Sequence, residues 1–271
     1  MMKMKKLKSF FKRNLPLWYL DQPGIIFGYD KGKIKKLQNK FEGQRCFILG
    51  NGPSLNNMDL GLLKNEFSFA VNGIFYKTDE MGYKPSFYVV EDGAVMRDNK
   101  KRINEFKSDY NFFPSIYKKD IHNRENTYFF NMDRSFYEKR SPYFEIPRFS
   151  VDCSQKIYCG QSVTIVNLQL AYFLGFSEVY LIGMDFNYEI PASLKIDGHV
   201  FESTEDDVNH FHPDYFGKGK KWHDPKLHNV LKSYKMAKLM FEIDGRHIYN
   251  ATDGGKLDLF DRVDYNSLFS K

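Results

Sequence analysis

The sequence predicts an α/β fold, a mostly parallel Rossmann-like sheet flanked by helices and interrupted by one lid insertion. Three observations carry this. Short apolar runs rich in Val, Ile, Phe and Tyr recur between residues 45 and 251. Their apolarity is continuous rather than alternating, as in strands covered on both faces. Stretches of helical character separate them, so strands and helices alternate over short connections.

The first run, 45–49, stops abruptly at a glycine-rich turn, Gly50-Asn51-Gly52-Pro53-Ser54. Further strands are expected at 67–72, 86–91, 113–117, 127–131, 178–185 and 246–251. Segment 161–174 is apolar on most sides and ends at Gly175, which suits a left-handed C-cap; it reads as a buried crossover helix. Segment 225–244 is amphipathic and closes at Gly245. Region 186–224 is polar, histidine-bearing and aperiodic, and so long an insert in a compact domain is expected to be a lid. The chain thus divides into a basic arm (1–43), one nucleotide-binding domain (44–260) with its lid, and a short tail (261–271).

At 42% hydrophobic and 27% charged residues, the composition suits a globular protein with a sizeable core. The net charge of +6 is uneven: the first forty residues are rich in Lys and Arg and hold only two acids, Asp21 and Asp30. Basicity confined to an arm argues against a nucleic-acid-binding face. Residues 1–20 mix cations with Leu, Phe, Trp and Tyr, a pattern suited either to an anionic membrane surface or to a solvated tail. No run is long enough to span a bilayer, and no signal-peptide pattern is visible. The expected location is therefore the cytoplasm, with the arm able to touch the inner face of the plasma membrane. The three cysteines show no Cys-x-x-Cys spacing, so neither a disulfide framework nor a zinc site is expected.

The candidate site gathers at the carboxyl ends of the strands. In the first turn, Gly50 and Gly52 would let a ligand approach the backbone, while Asn51 and Ser54 add polar contacts. The turn matches neither the dinucleotide fingerprint nor the Lys-bearing phosphate loop. Asn72 and Asp92 end the next two strands, where an Asn amide reads a base or sugar and an Asp meets a hydroxyl or a magnesium ion. Cys159-Gly160-Gln161-Ser162, preceded by Lys156, leads into the buried helix and would form a second anion site. Asp185 and Tyr188 follow the 178–185 strand. The lid adds His210, His212 and Tyr215, and a histidine near neutral pKa suits the role of general base.

These segments, from FILGNGPSL through AVNGIFY to YCGQSVTIVNLQLAYFLGFSEVYLIGMDFNY, resemble in order and spacing the bacterial sialyltransferases of glycosyltransferase family 42. With KPSFYVVEDGAV and HFHPDYFGKGKKWHDP, they also resemble the wider group of motility-associated flagellin glycosyltransferases and archaeal 6-hydroxymethylpterin pyrophosphokinases, over about residues 44–260. The resemblance implies a GT-A-like sheet, a CMP-sugar donor, inverting transfer and a lid histidine as base, His212 fitting better than His210. It implies that Asn51, Ser54 and Asn72 meet the donor, that Gly160 and its neighbours cradle the nucleotide, and that Tyr188 steadies the departing phosphate. No metal or other cofactor is required on this reading, magnesium entering only if the donor is a diphosphate. Lys156 stands where that family has an arginine, and Glu91-Asp92 where it reads the donor with an asparagine. Both departures leave the donor open. The implied partners are a nucleotide-sugar and a glycan or lipid-linked oligosaccharide acceptor; self-association is compatible with the sequence. Two other functions fit the residues: a Mg-ATP-dependent pterin-type diphosphokinase and a non-catalytic nucleotide-sugar binder.

Overall fold

The computed structural model describes residues 24–191, 193–197 and 200–270. The membrane-surface pattern of residues 1–20 lies outside the described residues. Among those described, no helix is long and apolar enough to cross a membrane.

Two short helices, α1 (Gly24–Phe27) and α2 (Lys31–Lys35), lead into β1 (Arg45–Leu49), β2 (Ser68–Val71), α3 (Thr78–Met81) and β3 (Phe87–Val89). Then come α4 (Gly93–Glu105), β4 (Tyr110–Pro114), β5 (Thr127–Phe130), β6 (Met132–Asp133), β7 (Ile157–Tyr158), α5 (Val163–Leu174) and β8 (Glu178–Ile182). The insert carries β9 (Lys195–Asp197), β10 (Val200–Glu202) and β11 (Lys221–His223), and α6 (Leu227–Ile243), β12 (His247–Asn250) and β13 (Asp261–Arg262) complete the fold. The main sheet has eight strands in the order β13-β12-β8-β1-β2-β3-β4-β5, every neighbouring pair parallel.

The continuous apolarity of the strands has a direct cause. Cys46 and Ile48 of β1 join one core while Phe47 and Leu49 join the other; Phe87 and Tyr88 divide likewise in β3, and Val179 and Tyr180 in β8. Successive side chains point to opposite faces, and both faces are covered. On the first lie α5, buried at every position from Thr164 to Leu174, and the Val230, Tyr234, Ala237 and Phe241 stripe of α6. On the second lie Leu55, Leu60, Leu63 and the apolar side of α4. Each large side chain so buried contributes about 1.5–3 kcal/mol.

Helix α5 begins at Ser162, whose hydroxyl accepts from Thr164 N, and ends at Gly175 (φ 97°). A Cβ at Gly175 would lie 3.0 Å from the Cα atoms of Asn39 and Glu42, so glycine serves both the left-handed turn and close packing. Those neighbours revise the boundary at residue 43: Ile34, Leu37 and Phe41 are buried in the first core, and Phe129 N donates to Asp30. Residues 261–270 are likewise part of the domain rather than a tail. Strand β13 pairs with β12, Tyr265 is buried, and Phe269 stacks on Phe47 at 5.6 Å.

The strand expected at 113–117 lies earlier, at 110–114, because Ser115–Tyr117 turn into a 3₁₀ helix. Helix α4 was not among the expected helices. In the insert, β9, β10 and β11 form an antiparallel sheet, and the segment after β10 is pinned to the body where Phe211 N donates to Asn51 O at 2.9 Å. The chain runs outward from β1 to β5, then returns to β8 on the other side of β1. The strand order therefore reverses between β1 and β8, where open α/β sheets bind ligands.

Candidate functional site

At this reversal the loops after β1 and β8 interlock. Gly50 N donates to Ile182 O at 2.8 Å and Gly52 N to Gly183 O at 3.0 Å. A Cβ on Gly50 would meet Gly183 O at 2.2 Å, and one on Gly52 would meet Asp185 Oδ2 at 1.8 Å. The two glycines thus serve the approach of the β8 loop, where a ligand approach had been expected. Ser54 and Asp185 are also tied together: Ser54 Oγ donates to Asp185 Oδ2 at 2.8 Å and Ser54 N to Oδ1 at 3.2 Å.

Beside this clamp opens a cleft of about 210 Å³. Gly50, Asn51, Asn72, Asp92, Gln161 and Ser162 line its body side, and Tyr188, His210 and Tyr215 its lid side. Asn51 Nδ2 donates to Tyr215 Oη at 2.8 Å, tying the lid to the first turn. The Tyr215 ring lies so close to Gly73 that a Cβ there would meet it at 2.6 Å. Burial holds the Tyr215 phenol far above its ordinary pKa, so it stays neutral. Asn72 sits at φ 47°, a left-handed position that Asn tolerates, and its carbonyl accepts from Tyr88 Oη at 2.6 Å. Among the described residues, the buried Oδ1 atoms of Asn51 and Asn72 have no hydrogen-bond partner. Buried acceptors are seldom left so, and both belong to residues lining the cleft.

The lid supplies an ordered acid–histidine pair. His210 Nδ1 lies 2.7 Å from Asp207 Oδ2, and the two side chains are 8% and 4% exposed. Asp207 also accepts from Asn209 N and Phe216 N, both at 2.8 Å. Burial opposes its charge, but His210 and these amides outweigh it and hold the carboxyl below the ordinary aspartate range. The imidazole stacks on Tyr215, centroids 4.2 Å apart, and Nε2 lies 3.5 Å from Tyr188 Oη. With Nδ1 donating to Asp207, Nε2 is the ring's acceptor, facing Tyr188 Oη; the tautomer is inferred from the Asp207 contact.

A second acidic group marks the far rim. Asp92 caps α4, accepting from Ala94 N at 2.6 Å and Val95 N at 3.0 Å. Burial raises its pKa, yet His223, whose Nδ1 is 3.7 Å away, and the two amides bring it below the ordinary value. Asp92 in turn raises the pKa of His223. Burial, then the adjacent Asp92 charge, pushes Glu91 up to about 7.

Several expected site residues lie elsewhere. His212 stacks on Tyr76 at 4.7 Å, its Nδ1 accepts from Asp214 N at 3.1 Å, and it does not line the cleft. His210 lines the cleft and His212 does not, whereas the resemblance had favoured His212. Lys156 lies 3.7 Å from Asp133 Oδ2, outside the cleft. Cys159 is buried, and Gly160 packs against α6, where a Cβ would meet Ser233 Oγ at 2.7 Å. Gln161 and Ser162 do reach the cleft, Gln161 at φ 73° with Nε2 donating to Asp224 O at 3.2 Å. Sequence reasoning missed Asp207. Its signal was an Asp-x-x-His spacing, obscured by the surrounding acidic residues. No group of three or more His, Cys, Asp or Glu side chains is arranged to hold a metal ion among the described residues.

Among solved structures, the chain is similar to the MAf glycosyltransferase from Magnetospirillum magneticum AMB-1, with a TM-score of 0.50 and 16% sequence identity. The match covers 88% of this chain and 38% of that one, so the chain spans less than half of the neighbour's length. At that identity the likeness is one of fold, and it agrees with the parallel α/β sheet. No curated protein sequence matches the chain. The profile of the MptE-like family, described as 6-hydroxymethylpterin diphosphokinase MptE-like, matches residues 26–191, more than half of the 271 residues, and the chain belongs to that family.

Proposed function

We propose that this protein is a glycosyltransferase that binds a nucleotide-activated sugar in the cleft between the β1 and β8 loops and transfers the sugar to a glycan hydroxyl. The observation that carries this reading is His210, backed by Asp207 at 2.7 Å, lining the same cleft as the first turn and the α5 N-terminus. In the reaction, His210 Nε2 takes the proton of the acceptor hydroxyl while Asp207 stabilises the imidazolium that forms. The acceptor oxygen attacks the anomeric carbon from the face opposite the nucleotide, inverting it. The bond from that carbon to the phosphate oxygen breaks, and its electron pair leaves with the nucleotide. Tyr188 Oη and the amides at the start of α5 are suited to the negative charge gathering on the phosphate. Asn51 and Asn72 offer unpartnered amide oxygens, which suit hydroxyl or amino donors of the nucleotide rather than phosphate oxygens.

A CMP-sugar is the favoured donor, on the resemblance described above. A screen of melting temperature with CMP, UDP, GDP and ATP, each with and without magnesium, tests the choice, because a ligand that binds only the folded state raises the melting temperature. A rise with CMP in the absence of metal is the expected result. A rise confined to Mg-ATP would replace this reading with the diphosphokinase activity named in the family description. Asp92 at the rim favours that alternative only weakly, since its carboxylate already caps α4 and faces His223. The acceptor is proposed to be a surface glycan or lipid-linked oligosaccharide, met at the inner membrane face through the basic arm.

A further inference from the structure

A larger cavity, of about 790 Å³, adjoins the cleft and shares Glu91, Asp92, Gln161, His223 and Asp224 with it. We propose that this cavity is the acceptor site and that it takes an acidic oligosaccharide, one bearing carboxylate or phosphate groups; the acceptor role rests on the transferase reading above.

Charge bookkeeping inside the cavity comes first. Lys100 is paired with Asp120 at 2.9 Å and Lys226 with Glu145 at 2.8 Å, so these four side chains cancel. Asp92 faces His223 and the α4 amides, while Asp224, whose Oδ1 accepts from the backbone Lys226 N at 3.0 Å, keeps its negative charge. Burial pushes Glu91 up to about 7, which reduces its negative charge at neutral pH. Arg97, Arg134 and Lys139 also line the cavity, and none of the three forms an ion pair among the described residues. Three cations against Asp224 and a partly protonated Glu91 leave the balance positive, and two of the three are guanidinium groups, which match carboxylate and phosphate in forked geometry.

The walls suit sugar rings. Tyr117 and Tyr137 line the same space, and Tyr137 is 37% exposed. An aromatic face offers apolar area to the C–H side of a pyranose. Gly93 keeps room at the junction: a Cβ there would stand 3.4 Å from both Arg97 Nη1 and Tyr117 Oη.

Position separates acceptor from donor. Arg97, Arg134 and Lys139 are exposed, so they stand where the cavity opens to solvent. Groups there read a ligand that continues outward, as a glycan chain does. A donor sugar is instead held between its nucleotide and the base. The cavity falls within the roughly 300–1,000 Å³ of sites for drug-sized ligands, room for more than one ring. An acceptor seated in the cavity reaches the cleft past Glu91 and Gln161, leading its terminal hydroxyl toward His210.

The test uses the full chain and four probes by saturation-transfer NMR: 3′-sialyllactose, an unsulfated chondroitin disaccharide, lactose 1-phosphate and neutral lactose. Nucleotide melting shifts are measured on the same samples. We expect at least one acidic probe to bind at least tenfold more tightly than lactose. In an Arg97→Ala/Arg134→Ala variant that preference should fall at least tenfold, with the unliganded melting temperature and the nucleotide shift unchanged. A Tyr137→Ala variant should weaken acidic and neutral probes together. Equal binding of acidic and neutral probes, no binding of any, undiminished preference in the double variant, or displacement of the saccharide by nucleotide alone would each overturn the proposal. Saccharide binding with no nucleotide shift in the wild type would overturn the transferase reading and the acceptor role with it, so the two failures are read apart.

Discussion

Replacing Asp207 by Asn changes one atom's chemistry while keeping the side chain's shape. The carboxylate accepts three hydrogen bonds, from His210 Nδ1 at 2.7 Å and from Asn209 N and Phe216 N at 2.8 Å each. An amide keeps one acceptor oxygen and turns the other into a donor. If Nδ2 faces His210, it donates to Nδ1 and moves the ring proton to Nε2, the atom that must be bare to act as a base. A hydrogen bond to a charged group contributes about 1.5–3 kcal/mol, so losing or reversing one should lower stability by about 2–3 kcal/mol. Turnover should fall by about 10³–10⁴-fold, the scale seen when the acid behind a catalytic histidine is amidated. The sign of the pH effect follows from the lowered folded-state pKa of Asp207. Its contribution is present above the unfolded value of about 3.9 and is lost as pH falls through the folded value. Urea melts from pH 7 to pH 3 should therefore show a loss in the wild type that Asp207→Asn lacks. Initial rates with the nucleotide-sugar identified by the melting screen measure the catalytic part, and ¹⁵N shifts of the His210 ring report the tautomer. A folded Asp207→Asn protein turning over within tenfold of wild type would refute the role given to the pair.

Other substitutions separate residues that look alike in sequence. His210→Ala should abolish turnover while His212→Ala, which removes a ring stacked on Tyr76 outside the cleft, should leave kcat within about twofold on the same assay. Gly52→Ala forces a Cβ to within 1.8 Å of Asp185 Oδ2 and 2.8 Å of Gly183 O, and overpacking of this kind should cost about 1–3 kcal/mol in a urea melt. Asp92→Asn keeps a good N-cap but removes the charge facing His223, so the His223 titration followed by NMR should drop toward about 6.5. Glu91 binds its proton more tightly folded than unfolded, so wild-type stability should decline as pH rises from about 4.5 to about 7. Glu91→Gln should remove that decline, and a parallel pH profile in both proteins would contradict the burial argument.

What the sequence made legible depended on how local its cause was. The parallel sheet was readable because each strand feeds two cores, which leaves an unbroken apolar run such as Cys46-Phe47-Ile48-Leu49. The β1 turn and the Gly175 stop were readable because glycine marks positions a side chain would obstruct. Other features depended on distant partners. Helix α4 escaped because its charged stretch dominates the few apolar positions, Val95, Met96 and Ile103, that pack on the sheet. Residues 31–43 looked like part of a lysine-rich arm, although Ile34, Leu37 and Phe41 follow a helical spacing that places them in the core. Which histidine faces the cleft follows from the lid's path, fixed where Phe211 N meets Asn51 O and Tyr215 Oη meets Asn51 Nδ2. Lys156 and Gly160 are adjacent in sequence to a helix N-terminus that reaches the cleft, but β7 turns them toward Asp133 and α6 instead.

The central claim is that the reversal of strand order between β1 and β8 is where the activated nucleotide sits. A crystal structure of the protein with whichever nucleotide raises its melting temperature tests that most directly. The account predicts phosphate density between the Gly50–Gly52 turn and the start of α5, with ligand hydroxyl or amino groups against the Oδ1 atoms of Asn51 and Asn72. Ordered nucleotide density at another place on the protein, with this cleft holding only solvent, would contradict it.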